Sequence, residues 1–149
     1  MNEKIMQLAV EEAINNKNGG PFAAIITDKN HNIIAVGHNK VTTTHDPTAH
    51  AEVSAIRLAC EKLNTHQLND CIIYSSCEPC PMCLSAIIWS NIKEVYYAAT
   101  RYDAENIGFR DSVIYDYLNN KNKIIDVKKI NLENETEPFN KYKDEGEIY

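Results

Sequence analysis

Three cysteines at intervals of three, Cys77, Cys80 and Cys83 in "SSCEPCPMC", follow a histidine and a glutamate two residues apart, His50 and Glu52 in "DPTAHAEV". Thiolate and imidazole are zinc ligands, and two thiolates with a neutral imidazole balance a divalent ion. Such a set leaves one tetrahedral position for water, and a carboxylate beside that water can take its proton. The chemistry constrains the backbone. Residues two apart on a helix point in nearly opposite directions, so His50 and Glu52 must sit where a helix begins. Pro47 and Thr48 supply such a start. Cys80 suits an N-cap, Pro81 the first helical residue, and Cys83 lies one turn on, beside Cys80. Both sulfurs then face the positive end of a helix dipole, which favours the thiolate. A competing arrangement takes Cys77 as a fourth ligand, giving a closed, purely structural site and reducing Glu52 to a solvated charge. It leaves the histidine–glutamate pair unexplained, and Cys77 precedes the turn that aims the other two. We therefore read Cys77 as a small buried residue at a strand end, and one zinc per chain on His50, Cys80 and Cys83.

The elements that must hold these groups can be read from periodicity. Apolar residues recur at helical spacing from Met1 to Lys17 until "NGGP" stops the pattern. "FAAIITD" and "NIIAVGH" read as a hairpin around a polar turn. Helical period returns from Ala49 to Leu63. "CIIYSS" reads as a buried strand, Pro81 to Ser90 as a helix, and "EVYYAAT" as another strand. A helix from Ser112 to Leu118 and a fifth strand at Ile124 to Ile130 complete the pattern. Alternating strands and helices after a hairpin give an α/β fold with helices on both faces of a mixed sheet. The chain of 149 residues reads as one domain over 1–149. The segment around Pro138 to Gly146 is too polar to nucleate a core, and reads as a docked helix or an extended arm.

Composition narrows the function classes. Five cysteines, an odd number, in a chain whose N-terminus reads as an amphipathic helix favour metal or catalytic use over disulfides. A cytoplasmic protein is expected. No apolar run is long enough for a membrane span. The net charge of −6 and an acidic tail from Asn131 to Tyr149 argue against nucleic acid as a partner. His31, His38, His45 and His66 lack partners at metal-ligand spacing and read as surface or turn residues.

The pair of motifs matches the H-x-E…P-C-x-x-C signature of zinc base deaminases. More broadly, the sequence resembles the cytidine/deoxycytidylate deaminase superfamily, and within it the bacterial guanine deaminases. "GGPFAAII", "VTTTHDPTAHAEVSAIRLAC", "SSCEPCPMCLSAIIW", "YDAENIGFRDSVIY" and the terminal tyrosine carry the resemblance. It implies a three-layer α/β/α sandwich around a mixed five-stranded sheet, and a homodimer that exchanges its C-terminal segments, here 131–149. It implies His50, Cys80 and Cys83 as zinc ligands and Glu52 as proton shuttle. Asn39, Ala51, Asp111, Phe22 and Tyr149 then bind substrate. Asn39 hydrogen-bonds the base, Asp111 reads its amino edge, Phe22 packs on the ring and Tyr149 closes the pocket. Arg110 stands where the family pattern has an acid, and the tail is shorter and more acidic. Read on residue type alone, Asn39 is a turn residue, Asp111 a helix cap, Phe22 core packing and Tyr149 a frayed end. The expected reaction is hydrolysis of guanine to xanthine and ammonia. Alternatives are another base (cytosine, or adenosine in tRNA) and a structural zinc module without turnover.

Overall fold

The computed structural model describes residues 1–149. Seven consecutive residues with no charge among them, Cys71–Cys77, form strand β3, buried along its whole length as expected of a strand covered on both faces. The elements preceding it are helix α1 (Asn2–Ile14), strands β1 (Ala23–Asp28) and β2 (Ile33–His38), a short helix α2 (Val41–Thr44) and helix α3 (Ala51–Leu63). After it come α4 (Pro81–Trp89), β4 (Glu94–Ala99), α5 (Arg101–Glu105), α6 (Asp111–Leu118) and α7 (Glu137–Glu145). The strands lie in the order β2-β1-β3-β4. β1 is antiparallel to β2 and β3, and β3 is parallel to β4.

Two apolar clusters make the three layers. On one face Ile5 and Ala9 of α1 meet Ile25, Ile72 and Tyr74. On the other Ala51, Ala55 and Ala59 of α3 meet Ala24, Ile26, Ala35 and Ile73, with Ile87 of α4. The small residues of α3 let its backbone come close to the sheet. At Gly37 of β2 a Cβ would stand 2.4 Å from both the Ala51 carbonyl oxygen and the Ala55 nitrogen, so the closest approach requires glycine. No helix is long and apolar enough to cross a membrane.

One expectation is corrected. The sheet has four strands, not five, because residues 124–130 add none. Charge interrupts the alternation there. Lys123 pairs with Asp126 at 2.8 Å and Lys129 with Glu135 at 3.0 Å, leaving Ile124, Ile125, Val127 and Ile130 exposed in the isolated chain. The acidic tail does form a helix, α7, but none of its residues is buried.

Candidate active site

Two helix starts face each other, and both present a metal ligand. His50 is the N-cap of α3 and Cys80 the N-cap of α4, each with extended backbone, and Pro81 opens α4. Cys83 follows one turn into α4, fully buried. His50 Nδ1 lies 3.6 Å from Cys80 Sγ and 3.5 Å from Cys83 Sγ, and all three donor atoms fall within 4.8 Å of one another. Zinc bonds of about 2.0 Å to nitrogen and 2.3 Å to sulfur, at the tetrahedral angle, set such atoms about 3.6 Å apart. The donors therefore fit zinc in spacing as well as type. The convergent helix dipoles add positive potential at the same point.

The protons of this cluster are arranged accordingly. A hydrogen bond from Cys83, and further ones involving His50 and the backbone, pull the Cys80 thiol down to about 4. The bond to Cys80, together with burial, pushes Cys83 up. Metal binding requires the thiolate forms and so releases the protons that these ligands hold. Cys77 stands apart. It ends β3, its Sγ donates towards the Thr100 carbonyl at 3.5 Å, and burial holds its thiol near 12. It lines the edge of the same cavity but lies outside the group His50, Cys80 and Cys83 whose donor atoms converge, which leaves three protein ligands and one open coordination position.

Glu52 sits one residue into α3 beyond Ala51 and is only 6% exposed. Burial raises its carboxyl, opposed by the Ser75 hydroxyl, which donates to Oε1 at 2.7 Å. A buried carboxylate that takes up a proton easily suits a proton carrier.

A cavity of about 40 Å³ brings Glu52 together with Phe22, Asn39, His50, Ala51, Cys80 and Asp111. Asn39 follows β2, and its Oδ1 accepts from the backbone N–H groups of Gly20 and Val41, both at 3.1 Å. Its amide nitrogen alone therefore faces other partners, as a donor. Gly19 has no room for a side chain against that amide. Asp111 is the first residue of α6, not its cap, which is Arg110. Burial, then the charge on Cys80, pushes the Asp111 carboxyl up. Helix α6 is anchored to the cysteine loop by Tyr115, whose hydroxyl donates to the Pro79 carbonyl at 3.0 Å while Arg101 stacks on its ring at 4.2 Å.

The family model for the cytidine and deoxycytidylate deaminase zinc-binding region matches residues 1–99. The chain belongs to this family. Guanine deaminase of Bacillus subtilis (strain 168) is 51% identical over 130 residues, covering 86% of this chain and 83% of that protein. The X-ray structure of guanine deaminase from Bacillus subtilis superposes with a TM-score of 0.90 at 45% identity, over 99% of this chain and 96% of that one. The tRNA-specific adenosine deaminase of Haemophilus influenzae is 37% identical over 120 residues, covering 79% of this chain and 69% of the relative. Zinc is the cofactor of the family, and His50, Cys80 and Cys83 form its site here.

Of the residues expected at the family's active site, all but one come together. Tyr149 does not. In its own chain it packs by Trp89 and His66, with ring centroids 5.9 and 6.1 Å away. Sequence reasoning missed three others at the site. Phe109 packs edge-to-face on Phe22 at 4.9 Å, and Glu78 lines the cavity. Ser75 touches Glu52 from within β3. "GF" before "RDS" was a signal for Phe109; nothing in "YSSCEPC" distinguishes Ser75 from its neighbours.

Proposed function

We propose that this protein is a zinc-dependent hydrolase that converts guanine and water to xanthine and ammonia. One observation carries the reading: a donor, Asn39, and an acceptor, Asp111, line the same cavity as the Glu52 carboxylate and the His50, Cys80 and Cys83 cluster. Zinc, when bound, supplies a Lewis-acidic centre that lowers the pKa of a water. Glu52 accepts that water's proton and delivers protons to the ring nitrogen and the departing amine. At C2 of guanine a carbon–oxygen bond forms, the carbon–nitrogen bond breaks, and nitrogen leaves as ammonia. Asn39, with its Oδ1 occupied by backbone donors, donates to an acceptor of the ring. Asp111 accepts from its N–H and amino edge. The N–H of Ala51 is among those left open at a helix start and is a further donor to the base. In this conformation the cavity has room for a few waters, so a purine base requires it to widen.

The active unit in this reading is a homodimer that exchanges residues 131–149, so that Tyr149 of one chain covers the zinc site of the other. Its support is the exposed row Ile124, Ile125, Val127, Ile130 and Leu132, which the isolated chain leaves uncovered. Five free cysteines suit the reducing cytoplasm. Adenosine within tRNA is disfavoured by the net charge of −6 and by the acidic tail, which repels a phosphate backbone. Ammonia release from guanine, adenine, cytosine, cytidine and guanosine tests the assignment. Guanine should be turned over fastest by a wide margin. A preference for cytosine, or no release from any of them, overturns it.

A further inference from the structure

Ser75 is 1% exposed, in the middle of the central strand. Side chains alternate along a strand, so Ser75 shares the face of Cys71 and Ile73, which pack among the alanines of α3. Packing alone asks for an aliphatic residue there. A hydroxyl taken out of water without a partner costs stability, and the partner of this one is Glu52 Oε1, at 2.7 Å. Glu52 is itself buried, and none of the six salt bridges of the chain reaches it. Its own backbone N–H and the Cys83 thiol also reach the carboxylate, and the Ser75 hydroxyl adds a charge-assisted bond carried on strand β3, while Glu52 rides on the first turn of α3.

We infer that Ser75 is a positioning residue for Glu52. Its hydroxyl holds the carboxylate rotamer by binding Oε1. The inference rests on the proposed role of Glu52. It adds that the central strand sets the direction in which the carboxylate points. A carboxylate free to rotate remains chemically competent but spends part of its time out of reach of the reacting water, so the loss falls on turnover and not on binding.

The experiment compares wild type, Ser75→Ala and Ser75→Thr for kcat and KM on guanine, zinc content and crystal structure. Ser75→Ala should lower kcat about 10- to 100-fold, the range for a bond to a charged group, with KM and zinc content unchanged and the Glu52 carboxylate rotated from its native position. Ser75→Thr, which keeps the hydroxyl, should restore the rotamer and most of kcat. Three results overturn the inference: wild-type kcat in Ser75→Ala, loss of zinc in that variant, or no recovery in Ser75→Thr. If wild type fails to act on guanine, the substrate assignment falls, and the Glu52 rotamer in the Ser75→Ala crystal still decides the role of Ser75.

Discussion

Two sulfurs of the cysteine run converge on His50 and one does not, and the reason lies in where each sits. Cys80 and Cys83 are at a helix start, facing His50, whereas Cys77 closes strand β3 with its Sγ donating towards the Thr100 carbonyl. Cys77→Ser should therefore keep one zinc per chain, while Cys80→Ser or Cys83→Ser should lose it, as metal analysis of the purified proteins will report. Loss of zinc from the Cys77 variant would restore the closed structural site. Asp111 offers a second test. Exchanging an acceptor oxygen for a donor leaves buried groups unpaired, so Asp111→Asn should lower kcat/KM on guanine by roughly 100-fold or more with zinc retained. A near-normal rate would leave Asp111 as a helix-start charge. The metal ligands and Glu52 were legible because metal chemistry restricts residue type and spacing. Ser75 and Phe109 were not, because serine in a strand and phenylalanine in a loop are common for ordinary reasons, and only the folded chain brings them to Glu52 and Phe22.

At the scale of elements, the site depends on how closely α3 lies on the sheet. Gly37 provides that approach, because a Cβ there would stand 2.8 Å from the Ala55 Cα and closer still to the Ala51 carbonyl. Gly37→Ala should push the start of α3 outwards and cost roughly 1–3 kcal/mol, lowering Tm by about 3–10 °C and weakening zinc binding through His50. An unchanged Tm would mean that α3 adjusts without strain. Most elements were legible to within about three residues at their ends, because α1 and α3 follow a helical period and the strands are short apolar runs bounded by turns. The two short helices α2 and α5 went unread, being a single turn each with no apolar stripe. The fifth strand was read and did not form. Its residues have strand propensity, but a strand also needs a neighbour, and the isolated chain gives 124–130 none.

For the whole molecule, the last third of the chain is the least self-sufficient. The match to the family model ends at residue 99, and α6, α7 and the tail beyond it bury no residue. If the tail covers a partner's site, deleting the last few residues should abolish turnover while leaving a folded, zinc-loaded chain. Mixing that truncated protein with Glu52→Gln should then restore part of the activity, since intact tails of one chain cover intact sites of the other. No recovery after subunits have exchanged would confine the tail to its own chain. The central claim, that Glu52 moves the proton at a zinc site that hydrolyses guanine, is tested most directly by following xanthine formation from guanine for wild type and Glu52→Gln, each with its zinc measured. The account predicts xanthine from wild type and a loss of several orders of magnitude in kcat for Glu52→Gln with one zinc per chain retained. Undiminished xanthine formation by Glu52→Gln, or loss of zinc with the activity, would contradict it.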